Sequence, residues 1–463
     1  MRKYDYDLLV IGSGPAGQKG AIAASKLGKS VAIVDRDDMI GGVSLHSGTI
    51  PSKTLREAIL YLSGLEQRAF YGKDYTVKDK IDRNDLRLRV RRVLHREIEV
   101  IRSQFRRNHV VFLDGTAQFV DPHTLEVTSE QGRSRVTGEN ILIACGTRSA
   151  HNPNVPIDGK KIFDVDQLRL LENLPQHTII VGAGVIGLEF AAMFAALNIK
   201  VTIIEQRDEI LGFIDDEITE RLRYHMRNLG VTFRLGEKVV SVEEDRSGWV
   251  VANLESRKKI RAQTLLYAVG RETNADTLNL ENAKVTTDTR GRIQVNEYFQ
   301  TENPHIYAAG DVIGFPALAA TSMEQGRIAS YYMFGCPVRH TPELLPYGIY
   351  TIPEISIVGK TEKQLTQEKI PYEFGIAKYE ELARGQILGD RIGLLKILFD
   401  PEDLHILGVH VIGESATELI HIGQAAIAMN GTLEYFRDAV FNYPTLAEAY
   451  KVAALDGLNK ISY

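Results

Sequence analysis

The chain is poor in cysteine: its 463 residues hold two, Cys145 and Cys336, far apart and each in an apolar context. A disulfide framework or a cysteine-built zinc site is excluded as an organising principle, and no metal is expected. Long hydrophobic runs are missing too. No segment offers the roughly 18 uninterrupted apolar residues of a membrane helix. The opening MRKYDYDLLVIGSG has only a short apolar run that breaks at glycine, which reads as a strand rather than an export signal. A cytoplasmic location with no membrane partner is the expectation. Neither sign of charge dominates: 55 Lys and Arg stand against 60 Asp and Glu, a net charge of -5. A polyanion such as nucleic acid is therefore not the expected partner of the molecule as a whole. One segment departs from that balance, RNDLRLRVRRVLHREIEVIRSQFRR from Arg83 to Arg107. Its Leu86, Val90, Val93, Leu94, Ile101 and Phe105 recur at helical spacing, which leaves the arginines on the solvated face of an amphipathic helix.

What the chain does have is length and glycine. At roughly 100 to 200 residues per unit, it should divide into three or four units, and 39 glycines point to tight turns or close backbone approaches. The apolar run YDLLVI (6 to 11) leads into Gly12-Ser13-Gly14-Pro15-Ala16-Gly17, then a helical segment, then a second strand ending at Asp35. Such glycines let the backbone approach a pyrophosphate at a helix N-terminus, and the acid ending the second strand accepts hydrogen bonds from a ribose. Asp35 lies 18 residues past Gly17 (35 - 17). The pattern returns with Gly182, Gly184 and Gly187, followed by Glu205, again 18 residues on (205 - 187). Two complete fingerprints imply two dinucleotides held by one polypeptide, one a bound flavin and the other a diffusible nicotinamide.

Three further segments read as strands: ENILIACGTR (139 to 148) and KIRAQTLLYAVGRETN (259 to 274), the returning edges of the two nucleotide units, and NPHIYAAGDVIG (303 to 314). Asp311, following Gly310 in the last, is placed to bind a flavin ribityl hydroxyl. Beyond about residue 345 no nucleotide signature occurs. GLLKILFDPEDLHILGVHVIG reads as a hairpin about DPED, followed by helical ATELIHIGQAAIAM and TLAEAYKVAALDGLNK, an α+β module.

Gly12 to Gly17, the loop GGVSLHSGTIPSK (41 to 53), Gly182 to Glu189, Asp311 and the late NYPTLAE together resemble the pyridine nucleotide disulfide oxidoreductases, over nearly the whole chain. Within that family the sequence is most similar to the soluble, Si-specific pyridine nucleotide transhydrogenases, through GTIPSK (48 to 53), GIYTIPEISIVGKTEKQL (348 to 365) and FNYPTLAEAYKVAALDGLN (441 to 459). The resemblance implies an α/β fold with two Rossmann-like dinucleotide-binding domains, for FAD and for NAD(P), plus a C-terminal α+β dimerisation domain. The implied division is 1-150 and 276-345 for FAD, 151-275 for NAD(P) and 346-463 for the interface of a homodimer. It implies FAD, NAD and NADP as cofactors and hydride transfer between NADPH and NAD+ through the flavin, in ping-pong order. It makes Lys53 and Glu189 an ion pair near the reactive flavin nitrogen and puts Thr49 over the flavin. Gly42, Ser44, Ala117, Gly146, Gly270 and Arg207 join the cofactor-binding set.

The departures from that family carry chemical meaning. Its thiol-using members have C-x4-C where this chain has Ser44 and Thr49, and a histidine where it has Tyr443. Hydroxyls cannot cycle between dithiol and disulfide, so the sulfur route is closed. With no thiol to deprotonate, an imidazole has no evident task, and Glu448 reads as a structural or interface acid. Glu205 favours an unmodified ribose and opposes a 2'-phosphate, an opposition Arg207 can offset by pairing with either. Two other functions compete: an NAD(P)H oxidase or quinone reductase, differing in what takes the electrons, and a flavin-binding interaction or redox-sensing protein without catalysis, against which Lys53, Glu189 and both fingerprints speak. His46 reads as polar filler in the flavin loop, and His421 as a satisfied interface histidine.

Overall fold

A computed structural model describes residues 3–72, 74–167, 173–338 and 344–461. The apolar run of the first fingerprint forms the strand Tyr6–Ile11, parallel to Val31–Asp35 on one side and to Gly132–Ile143 on the other. Helices and neighbouring strands cover both of its faces, so Leu8 to Ile11 are buried without alternation, as a central parallel strand requires. Seven strands make up this sheet. Val111–Asp114 closes one edge, Gly132–Ile143 continues into the antiparallel Thr124–Ser129 and Thr116–Asp121, and the late strand Ile306–Ala308 pairs with Gly132–Ile143.

The second fingerprint repeats the arrangement on a smaller scale. Five parallel strands run in the order Val231–Arg234, Lys200–Ile204, His177–Val181, Thr264–Tyr267, Ile162–Asp164, and a three-stranded antiparallel sheet (Val239–Glu244, Val250–Leu254, Lys259–Ala262) is appended. The expected returning edges are corrected here. The segment 259 to 274 divides among three sheets, and its strand Thr264–Tyr267 lies inside the second parallel sheet, flanked by His177–Val181 and Ile162–Asp164. Gly132–Ile143 is likewise interior. Edge or centre depends on which later segment joins, and Ile306–Ala308 arrives more than 150 residues downstream.

The last module is a five-stranded antiparallel sheet, Tyr347–Ile349, Glu354–Gly359, Ile406–Gly413, Leu394–Phe399, Glu373–Lys378, in that order. Its hairpin turns at residues 400–405, the DPED segment, and the helices Ala416–Ala428 and Glu448–Ile461 pack on it. A buried cation ties it to the second unit: the Lys396 ammonium, 1% exposed, lies 3.0 Å from Asp215 and 3.2 Å from Glu217 and also pairs with Glu362. The arginine-rich segment is one helix, Arg83–Arg107, opened by an Asp82 capping box. Leu86, Ile101 and Phe105 are buried, and the helix packs on Thr49–Ser63. No helix among the described residues is long and apolar enough to cross a membrane.

Candidate active site

The two glycine loops share one geometry. A Cβ on Gly12 would meet the Ala144 carbonyl oxygen at 2.4 Å and one on Gly182 the Ala268 oxygen at 2.7 Å. Both residues also hold positive φ, +100° and +104°. A Cβ on Gly17 or Gly187 would fall 1.9 or 2.0 Å from the carbonyl oxygen that begins its own loop. The middle glycines differ: beside Gly14 and Gly184 there is open space. The outer glycines serve turn and helix packing, and the middle one leaves a face for a ligand. Gly14 and Gly184 also precede the helices Pro15–Lys26 and Val185–Ala196, neither of which has a side-chain cap, so the first backbone N–H groups remain available to phosphate oxygens.

The acids closing each motif sit where the spacing puts them. Asp35 accepts hydrogen bonds from the Ser13 backbone N–H (2.7 Å) and hydroxyl (2.6 Å), and burial, only partly offset by these donors, raises its pKa. Glu205 accepts from the Ala183 N–H at 2.8 Å and from Arg207 through its backbone N–H (3.0 Å), Nε (3.1 Å) and Nη2 (3.3 Å). Burial opposes ionisation of Glu205, yet the Arg207 guanidinium and the two amides outweigh it and lower the pKa. Arg207 therefore pairs with Glu205. Gly270, φ +79°, lies at the end of the same sheet with open space beside it.

A cavity of about 940 Å³ extends from the first glycine loop to the third module. Gly12, Gly14, Asp35, Gly42, Ser44, Thr49, Lys53, Ala117, Gly146 and Asp311 line it, joined by Glu189 of the second unit. Gly17, Gly182, Gly184, Gly187, Glu205, Arg207 and Gly270 are not among its walls. Ser44 donates its hydroxyl to the Gly41 carbonyl at 2.9 Å, which holds the loop closed. Asp311 is 3.4 Å from the hydroxyls of Thr147 and Ser322, and burial raises its pKa against the pull of Arg271. Cys145 also borders the cavity, but its desolvated thiol is pushed up to about 12 and is no ready nucleophile.

Lys53 reaches Glu189 with both carboxylate oxygens in range, 2.8 and 2.7 Å, across 136 residues of sequence. Glu189 is 4% exposed. Sequence reasoning missed the third member of this group: the Tyr350 backbone N–H donates to Glu189 Oε1 at 2.9 Å, and its ring centroid lies 4.8 Å from the Lys53 ammonium. It also missed Arg271 on the cavity wall, which donates to the Thr147 hydroxyl (2.8 Å) and carbonyl (2.9 Å) and pairs with Asp166 (3.4 Å). Tyr350 sits in a segment already singled out, but a backbone donor has no residue-type signal. His46 bonds the Ile40 carbonyl at 2.8 Å. His421 bonds Gln424 at 2.8 Å and borders the cavity. Tyr443 is 72% exposed and outside the cavity of its own chain, and one Glu448 oxygen is buried without a hydrogen-bond partner. Asp215, Glu217 and Glu362 stand at metal-binding spacing, but the Lys396 ammonium already pairs with all three.

Two dinucleotide-type folds joined by the Lys53–Glu189 ion pair define a flavin- and nicotinamide-dependent oxidoreductase. The chain belongs to the pyridine nucleotide-disulphide oxidoreductase family: the family model matches residues 6–326, and the model of that family's dimerisation domain matches 345–454. It is 54% identical to a soluble pyridine nucleotide transhydrogenase of Mycobacterium tuberculosis (strain ATCC 25177 / H37Ra), covering 99% of this chain and 98% of the relative. It is 46% identical to one from Erwinia tasmaniensis, with 99% of each covered. Among solved structures, LpdA from Mycobacterium tuberculosis superposes with a TM-score of 0.89 at 26% identity, over 97% of this chain and 99% of that one. The HOCl-induced flavoprotein disulfide reductase RclA from Escherichia coli gives 0.87 at 26%, with the same coverage. The family's FAD and NAD(P) fit the residues present: an open middle glycine, an uncapped helix and a strand-end acid occur in each fold.

Proposed function

We propose that this protein is a transhydrogenase that passes hydride between NADPH and NAD+ with FAD resident in the large cavity, acting as a homodimer in the cytoplasm. The observation that carries the reading is the cavity wall itself, which Ser44 and Thr49 line together with an intact Lys53–Glu189 pair. Full-length similarity to relatives named soluble pyridine nucleotide transhydrogenase supports the same choice. Bound FAD supplies the group that takes up and returns hydride, and the protein supplies orientation and charge.

In this reading Gly12, Gly14 and the Pro15 helix take the FAD pyrophosphate, Asp35 the adenosine ribose and Asp311 the ribityl chain. Gly42, Ser44, Ala117 and Gly146 shape the walls, and Thr49 fills the position over the ring. Gly182, Gly184, Gly187 and Gly270 form the nicotinamide nucleotide groove. Glu205 meets the ribose, and Arg207 neutralises Glu205 enough for a 2'-phosphate to approach. Lys53 stabilises negative charge, and Glu189 fixes its ammonium. Without a thiol relay, the first nucleotide leaves and the second enters the same groove, a ping-pong order. The corresponding division is 1-150 with 276-345 for FAD, 151-275 for the nicotinamide nucleotide and 346-463 for the dimer interface. Pairing of Ile306–Ala308 with Gly132–Ile143 supports it.

The test is anaerobic: NADPH and NADH are each mixed with flavin-loaded protein, followed by a thionicotinamide analogue of NAD+. Bleaching of the flavin by NADPH and its recovery with the analogue are expected. A flavin that NADPH does not bleach rejects the reading, and one that recovers with oxygen or a quinone but not with the analogue makes the protein an oxidase or quinone reductase.

A further inference from the structure

Arg56 follows Lys53 by three residues on the helix Thr49–Ser63, one turn along the same face. It is 4% exposed, and its guanidinium fans out into the third module. Nε donates to the Thr351 carbonyl at 3.0 Å, while Nη1 pairs with Glu57 at 2.8 Å and Glu354 at 3.4 Å. Glu354 is fixed in turn by the Thr417 hydroxyl (2.7 Å) and backbone N–H (3.2 Å). Thr351, fully buried, follows Tyr350, whose N–H is the backbone donor to Glu189, so two peptide planes join that N–H to the carbonyl Arg56 holds. One helix thus holds both Lys53, which grips the Glu189 carboxylate, and Arg56, which grips the chain delivering the second donor to that carboxylate.

We propose that Arg56 is a positioning residue for hydride transfer: by bonding the Thr351 carbonyl it keeps the Tyr350 amide aimed at Glu189 and the Tyr350 ring against Lys53. This rests on the transhydrogenase reading for the reaction it serves, but its geometry is independent of which acceptor takes the electrons. Removing the bond lets the Tyr350–Thr351 backbone move away from the Thr49 helix. Glu189 then has one charge partner and no N–H donor, so the Lys53 ammonium is held less firmly at the cavity wall. A lysine at position 56 retains the positive charge among Glu57 and Glu354 but lacks the planar fork that serves Thr351 and the carboxylates together.

The experiment compares wild type, Arg56→Lys and Arg56→Met as flavin-loaded protein. It records flavin content, thermal midpoint, kcat and KM for NADPH, and the flavin midpoint potential. Expected for Arg56→Lys are full flavin content, a near-native thermal midpoint, an unchanged KM, kcat lower by about tenfold and a potential moved in the negative direction. The Arg56→Met potential should move the same way, and this variant should be less stable. The proposal is overturned if Arg56→Lys restores both kcat and potential to wild type, which makes the residue a structural charge only. It is equally overturned if lost activity tracks lost flavin. If wild type fails to transfer hydride between NADPH and the NAD+ analogue, the function reading falls, while the potentials still decide the role of Arg56.

Discussion

Replacing Lys53 with methionine tests the centre of the site. Glu189 accepts two bonds from Lys53 and one from the Tyr350 N–H, and it is nearly inaccessible to water. At 2.7 Å and an effective dielectric near 20 the gross attraction is about 6 kcal/mol. Removal of one partner from a buried pair typically costs about 3–5 kcal/mol, because the other charge is left behind. Lys53 is a quarter exposed, which favours the low end. Lys53→Met should therefore lose about 3 kcal/mol at pH 7, with Lys53→Met/Glu189→Gln recovering most of it. Urea unfolding of wild type, the single variant and the double variant measures both the loss and its recovery. Turnover should fall by about a hundredfold, the usual scale for one lost electrostatic stabiliser. A single variant as stable as wild type, or a double variant no more stable than the single one, would refute the argument.

Gly14→Ala and Gly17→Ala should separate binding from folding: the first has room for a methyl group and should fold with weakened flavin retention, whereas the second collides at 1.9 Å and should yield little soluble protein. Flavin-to-protein ratio and soluble yield report the difference. Arg207→Ala should raise KM for NADPH by roughly tenfold or more and leave KM for NADH within about twofold, since Glu205 would then face the 2'-phosphate unneutralised. Steady-state kinetics with each nucleotide checks it, and a parallel rise in both KM values counts against the assignment. Burial and the charges of Glu66, Glu354 and Asp390 raise the Glu414 carboxyl to about 7, with only Arg56 pulling the other way. Its folded pKa exceeds its unfolded value, so this group's contribution to stability declines as pH rises from about 4.5 through 7. Glu414→Gln should flatten thermal midpoints over that interval.

The nucleotide folds were legible in the sequence because their glycines report distances along the chain: a carbonyl 1.9 Å from an imagined Cβ on Gly17 admits no other residue, and the paired motif repeats that constraint at Gly187. The acids at 35 and 205 follow from the same spacing. Lys53 and Glu189 came only through resemblance, and nothing local marks a pair separated by 136 residues. Tyr350, Arg271 and Arg56 were not legible even so. Each acts through a backbone group or on a partner at least 124 residues away, at Glu189, Thr147 and Thr351 respectively. Strand placement failed for a related reason, since Gly132–Ile143 reads as an edge until Ile306–Ala308 pairs with it.

The same separation in sequence explains why the site can be sensitive to assembly of the whole chain. Lys53 comes from the first nucleotide unit, Glu189 from the second and the Tyr350 amide from the third. No unit alone contains a complete set of donors for the carboxylate. A charge held by three units is only as well positioned as their packing, and two further contacts secure that packing: Arg56 on Thr351 and Lys396 among Asp215, Glu217 and Glu362. Lys396→Met should accordingly act at a distance. It leaves Asp215 buried without its cation, loosens the second unit from the third and should lower turnover as well as stability, although Lys396 does not line the cavity. Comparing kcat with the thermal midpoint across substitutions at Lys396, Asp215 and Glu362 separates the two cases. Proportionate loss supports coupling through packing, and stability loss with unchanged kcat shows that the three donors keep their places without it.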